Sequence, residues 1–204
     1  NNLDNYFFIT KNGRWDGFIS VDALKNIPAK KWDQKIVSEK LTYILLNKPK
    51  KLALNTERRT KKSAMTLISS ACKEKVFPID KLNQSESGLI IFTNDHILAK
   101  KITNKNQKIK SIYQVTLNKE MSADDILNLK KGIDINGKKH KLTSISFLKK
   151  RYELGIEQSQ GGIKILKLLF KKLNYDIIYL DRVLLAGITK KNLPRNKFRY
   201  LTEE

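Results

Sequence analysis

Cysteine is nearly absent from this chain: Cys72 is the only one in 204 residues. No internal disulfide can form, and the usage fits a reducing compartment such as the cytoplasm. Histidine is almost as scarce. His96 and His140, with one cysteine, make no metal set of ordinary spacing, so neither a metal nor a cofactor is expected. Ser85, Ser87 and His96 lie close in sequence, but nothing in their spacing suggests a catalytic triad. No glycine-rich loop followed by Lys-Ser or Lys-Thr occurs, which argues against a nucleotide phosphate cradle. No apolar run reaches 18 residues, so no membrane-spanning helix is expected, and we expect no leader at the start. A long basic amphipathic helix of the membrane-surface kind is missing as well.

Acidic residues are the last scarcity. Twenty Asp and Glu face forty-one Lys and Arg, for a net charge of +21 and an isoelectric point near 9.9. With hydrophobic residues at 40%, the composition is that of a folded protein whose surface attracts polyanions. The charge is unevenly placed. Residues 1–41 hold seven basic and five acidic residues, a net +2, and residues 42–204 carry the other +19. RNA is therefore the expected partner of the larger segment, and the chain is expected to act as a monomer.

Local patterns divide the chain at the same point. Tyr6–Thr10 and Phe18–Val21 read as strands around an Asn12-Gly13 turn, and Asp22 can cap a short helix that Pro28 ends. This order, with Gly13, Gly17 and Trp32, resembles half of a cystathionine-β-synthase-type module, though no second copy follows. From Thr42 the pattern predicts strands at 43–46, 89–93, 111–117, 142–147, 152–156, 177–179 and 183–185. Helices are predicted at 64–71, 97–102 behind Asp95, 122–131 ending at Gly132, and 163–173 ending at Asn174. Strands and helices mix irregularly, which predicts an α+β fold with a mainly antiparallel sheet. We expect residues 1–41 to be an extension and residues 42–204 to be the functional domain.

Four pieces in register carry a family resemblance. They are Tyr43-Ile44-Leu45-Leu46-Asn47-Lys48-Pro49; Phe77-Pro78-Ile79-Asp80-Lys81-Leu82-Asn83 running on to Gly88–Asp95; Ile109-Lys110-Ser111-Ile112-Tyr113; and Tyr179–Val183 with Ala186-Gly187 and Leu193-Pro194-Arg195. Together they resemble the pseudouridine synthases that modify ribosomal RNA. The resemblance implies that family's fold, with a basic central cleft, and isomerisation of uridine in RNA. In that reaction an aspartate attacks or deprotonates the nucleoside, and the base detaches, rotates and rejoins through carbon.

The departures from the pattern bear on activity. With Phe77-Pro78 before it and Gly88-Leu89 after it both in register, Asn83 occupies the position of the family's aspartate, and a neutral amide is neither nucleophile nor base. Asp80 is the nearest carboxylate, three residues earlier, where the family has glycine. Gly162 stands where the family's helix start supplies the arginine nearest the carboxylate. Tyr113 matches the tyrosine that the family places over the target base. Lys48, Lys50, Arg58, Arg59, Lys81, Lys110, Lys164 and Lys167 are the candidate RNA contacts. The resemblance then implies an RNA-binding homologue with impaired catalysis. An active synthase using another residue, and a ribosome-associated structural or assembly protein without catalysis, are the alternatives.

If the basic segment binds structured RNA through several phosphates, affinity falls by orders of magnitude between roughly 50 and 200 mM salt. Filter binding across that range tests this, and an affinity that hardly changes would contradict it.

Overall fold

Two neighbouring charged residues, Asp181 and Arg182, lie in the middle of a strand that is otherwise apolar, and the sheet is built around them. The computed structural model describes residues 6–11, 14–20, 40–54, 63–69, 71–104, 107–159 and 162–202. The helix expected after Asp22, the cations Arg58 and Arg59, and Gly161 lie outside the described residues. The chain forms two compact units, Asn1–Glu39 and Lys40–Glu204. In the first, β1 (Tyr6–Lys11) pairs antiparallel with β2 (Arg14–Ser20), and an irregularity falls between Ile9 and Thr10.

The second unit is α+β. Its elements in order are β3 (Tyr43–Lys48), α1 (Ala64–Ser69), β4 (Phe77–Ile79), β5 (Ser87–Thr93), α2 (His96–Thr103), β6 (Ser111–Leu117) and α3 (Ala123–Lys131). A small hairpin, β7 (Ile133–Ile135) and β8 (Lys138–His140), follows. Then come β9 (Ser144–Phe147), β10 (Glu153–Gln158), α4 (Gly162–Lys172), β11 (Ile177–Leu185), β12 (Ile188–Thr189) and β13 (Phe198–Tyr200). The main sheet runs β13-β3-β5-β11-β6-β10-β9, with β4 on β5 and β12 on β11. Every pairing in it is antiparallel except β5 with β11.

Each element has a local cause. All seven residues of β5 are buried, as an apolar run in the middle of a sheet should be. β6 alternates buried and half-buried positions, the period of a strand with one face on the core. Asp95 caps α2 by accepting from the amides of Ile97 and Leu98 at 2.9 Å, and Tyr43 donates to its other oxygen. Ser122 caps α3, and Gly132 closes it at φ 99°. In α4, Ile163, Leu166, Leu169 and Phe170 face the core while Lys164 faces solvent. That core also takes in Ile44, Leu46, Ile90, Phe92, Tyr113, Val115 and Ile156 from the sheet.

Two expectations shift. Residues 177–179 and 183–185 form one strand, because Leu180, Asp181 and Arg182 continue the ladder and are buried. The hairpin of β7 and β8 was not expected. It turns through Asn136 and Gly137, both at positive φ, as a tight two-residue hairpin requires.

The parallel contact between β5 and β11 depends on one glycine. Gly88 has φ 111°, and a Cβ there would sit 2.3 Å from the backbone nitrogen and oxygen of Arg182. Neither partner can yield, since both are strand backbone. Gly88→Ala therefore destabilises the protein by about 3 kcal/mol or more, through overpacking and a strained backbone. Urea unfolding measures this, and a loss under about 1 kcal/mol would contradict the account.

Candidate active site

Arg182 is completely buried, and its guanidinium must find partners or be costly. Its Nε donates to the carbonyl of Leu89 at 2.7 Å, and one terminal nitrogen donates to the carbonyl of Asp80 at 2.9 Å. The other forms a very short ion pair with the Asp80 carboxylate. The main chain of β5 and the residue after β4 thus hold the cation in place. A register shift in β11 between Arg182 and Leu184 turns the strand here, as bulges beside sites often do.

Asp80 follows directly on β4 and adopts φ 48°, a conformation unusual for a residue with a side chain but best tolerated by Asp and Asn. Its carboxylate is 35% exposed, so one end meets Arg182 while the other opens toward solvent. Gly162, the first residue of α4, lies beside it at φ 57°, and a Cβ there would be 3.8 Å from Asp80 Oδ1. Tyr113 lies opposite Arg182 in the β6–β11 ladder. Burial pushes its pKa up, so the phenol stays protonated at neutral pH. Tyr113 is only 1% exposed. Its ring is covered rather than open to stacking.

These groups border an open cleft of about 450 Å³ lined by Asp80, Lys81, Asn83, Glu86, Gly162, Lys164, Lys167 and Lys171 among others. Four lysines beside an anchored carboxylate suit a polyanionic substrate with a reactive centre. No group of His, Cys, Asp and Glu able to hold a metal occurs among the described residues. No described helix is long and apolar enough to cross a membrane.

The structure places the sequence candidates as follows. The carboxylate paired with a buried cation is Asp80, and Asn83 is exposed, its amide bound to Glu86. The cation comes from β11, so the lack of arginine at Gly162 does not leave the carboxylate alone. Lys48 is fully buried and is no phosphate contact. Its Nζ donates to the carbonyls of Glu86 at 2.7 Å and Pro49 at 3.1 Å. Lys50 is exposed and donates to the carbonyl of Ile178. Lys110 pairs with Glu157 at 2.9 Å and remains half exposed. Lys81, Lys164 and Lys167 do meet, along one cleft.

Reading the sequence missed a second polar cluster behind Arg182. Asp181 is 1% exposed and accepts from Arg195 through both oxygens at 2.8 and 2.9 Å, from Lys190 at 2.8 Å and from Ser87 at 3.1 Å. Burial alone would raise its pKa, but the bonds from Arg195 and Lys190 outweigh burial and hold it below the ordinary value. Asn47 joins the cluster, bonding Arg195 and the carbonyl of Leu193. The available signal was the pair itself: adjacent opposite charges inside an apolar strand must each find a partner.

A profile described as RNA pseudouridylate synthase matches residues 42–176. The chain belongs to that family. An uncharacterized RNA pseudouridine synthase of Borreliella burgdorferi is 27% identical over 158 residues, 77% of this chain and 63% of that protein. The dual-specificity RNA pseudouridine synthase RluF of Escherichia coli K12 is 25% identical, across 82% of this chain and 57% of RluF. The ribosomal small subunit pseudouridine synthase A of Vibrio cholerae is 26% identical, across 79% and 71%. The chain thus spans about three-fifths of the length of the first two relatives. A crystal structure of a pseudouridylate synthase matches with TM-score 0.68 and 20% identity, over 80% of this chain and 71% of that one, and shows the shared fold.

The buried lysine makes this site pH-sensitive in a definite direction. Burial lowers the Lys48 pKa from 10.5 to about 8, partly offset by Glu86. Between those values the unfolded chain holds a proton that the folded chain has released, so raising the pH relieves a cost of folding. The unfolding free energy of wild type relative to Lys48→Met should therefore rise by about 1–2 kcal/mol from pH 8 to 10. Urea unfolding of both proteins checks this, and a difference independent of pH would contradict it.

Proposed function

We propose that this chain is an active RNA pseudouridine synthase that works on ribosomal RNA with Asp80 as its reacting carboxylate. The observation that carries the reading is the Asp80–Arg182 pair, with its partly exposed carboxylate at the lysine-lined cleft. The substrate class follows from the charge of the cleft, and similarity to the ribosomal small subunit pseudouridine synthase A of Vibrio cholerae supports ribosomal RNA.

Under this reading Lys81, Lys164 and Lys171 receive phosphates, and a uridine enters beside Gly162, where no side chain blocks the approach to Asp80. Asp80 attacks or deprotonates the nucleoside, the base detaches, turns and rejoins through carbon. Arg182 fixes the direction of the carboxylate by a charge-assisted bond, so little reorganisation is needed when the nucleoside arrives. The Leu89 carbonyl fixes Arg182. No step requires a metal or a cofactor. Catalytic impairment, the reading drawn from Asn83 and Gly162 at the positions of the family's aspartate and arginine, is the alternative, and the Asp80–Arg182 pair at the cleft favours an active enzyme over it. Residues 1–41 are proposed to be an extension outside the catalytic fold.

The test is tritium release from 5-tritiated uridine in ribosomal RNA transcripts. Wild type is expected to release tritium. Asp80→Asn should reduce the rate by at least about 10³-fold, as loss of a reacting group does. Asn83→Asp should change it only a few-fold. No release by wild type together with release by Asn83→Asp would restore the impaired-enzyme reading.

A further inference from the structure

The segment 80–86 carries the proposed reacting carboxylate yet has no strand or helix of its own to fix it. Arg182 holds its first residue, and Leu82, 1% exposed, anchors its middle in the core. Glu86 closes it, and Glu86 is itself only 2% exposed. One carboxylate oxygen accepts from the backbone N–H of Asn83 at 2.7 Å, and the other accepts from the Asn83 amide at 3.4 Å. That second oxygen also pairs with Lys167 of α4 at 2.5 Å. The Glu86 carbonyl meanwhile accepts from buried Lys48 at 2.7 Å. On the outer side, Lys51 and Gln84 bond twice, backbone to backbone at 2.8 Å and side chain to backbone at 2.9 Å.

A buried carboxylate costs free energy unless it is fully paired, so a loop that needed only packing would be better served by an apolar side chain. This carboxylate binds the loop on one side and, on the other, a helix whose lysines line the same cleft as Asp80. We propose that Glu86 is a positioning residue: it clasps the Asp80 loop to α4 through Lys167 and so sets the distance between the carboxylate and the RNA-binding lysines. This rests on the reading of Asp80 as the reacting group. It also gives Asn83 a different part, as the brace that receives the clasp.

The consequence separates chemistry from binding. Removing Glu86 frees the loop and also frees a cation at the cleft, so turnover falls while RNA binding does not. For Glu86→Ala the expected kcat loss is between about 10-fold and 100-fold, the scale of a displacement near 1 Å. RNA affinity at low salt is expected to be unchanged or tighter, with its logarithmic salt slope steeper by about one phosphate contact. Glu86→Gln, close in shape and able to keep one bond to the Asn83 amide, is expected to lose less. Lys167→Met should lower kcat similarly, and Glu86→Ala with Lys167→Met should be no worse than the poorer single variant, because both act through one contact. Amide exchange at Asn83 should quicken in Glu86→Ala and stay slow in wild type.

Tritium release, RNA binding, melting temperature and amide exchange on these five proteins decide the matter. Wild-type kcat in Glu86→Ala, multiplied losses in the double variant, equal losses of binding and turnover, or unchanged Asn83 exchange would each overturn the clasp. Should wild type release no tritium, the reading of Asp80 fails separately. The Asn83 amide then still reports whether Glu86 holds the loop, and exchange unaffected by its removal overturns the proposal.

Discussion

A fully buried guanidinium in the middle of a sheet governs the design of this protein. An unpaired charge in that place is strongly destabilising, so the surroundings of Arg182 are fixed to meet it. Leu89 turns a carbonyl toward it, and Tyr113 lies opposite it on the next strand. Asp80 leaves β4 in a left-handed conformation that presents both its carbonyl and its carboxylate. Gly88 lets β5 approach the Arg182 backbone closely enough for this to happen. The same contacts that satisfy the buried cation therefore orient an accessible anion, and fold stability and the chemistry of the cleft depend on one interaction.

Its neighbour Asp181 belongs to the opposite side of the strand, as successive side chains must. There Arg195, Lys190, Ser87 and Asn47 enclose it and tie the segment around Leu193 to β3. The two clusters share a strand but not their partners. One is closed, with Asp181 fully paired; the other is open at Asp80. That asymmetry distinguishes a structural ion network from a site able to act on a ligand.

Much of this was legible in the sequence, for reasons that can be traced. Alternation in Ser111–Leu117, the Asp95 and Ser122 caps and the apolar spacing of Ile163–Phe170 are local signals, and the elements formed where those signals placed them. The α+β class followed from their order, and the family from four pieces in register. The pairing of Asp80 with Arg182 was not legible, because residues 80–86 form no ladder. The flanks Phe77–Ile79, paired to Thr93–Ile91, and Gly88 both keep register and place Asn83 at the family's aspartate, while the folded loop brings Asp80 to the buried cation. A partner from β11 lies about a hundred residues away, and no local pattern reports it. Lys48 misled for a related reason: Asn47-Lys48-Pro49 reads as a basic loop, but Lys48 closes a buried strand and points inward. Single-residue signals report propensity, and long-range partners such as Glu86, some forty residues away, do not enter them.

The central claim is that Asp80, not Asn83, meets the substrate. A crystal structure of the protein bound to an RNA carrying its target uridine tests this most directly. The account predicts the Asp80 carboxylate within about 3.5 Å of the nucleoside, still paired to Arg182, with Asn83 turned toward Glu86. A nucleoside seated against Asn83, or Asp80 facing away with Arg182 paired elsewhere, would contradict it.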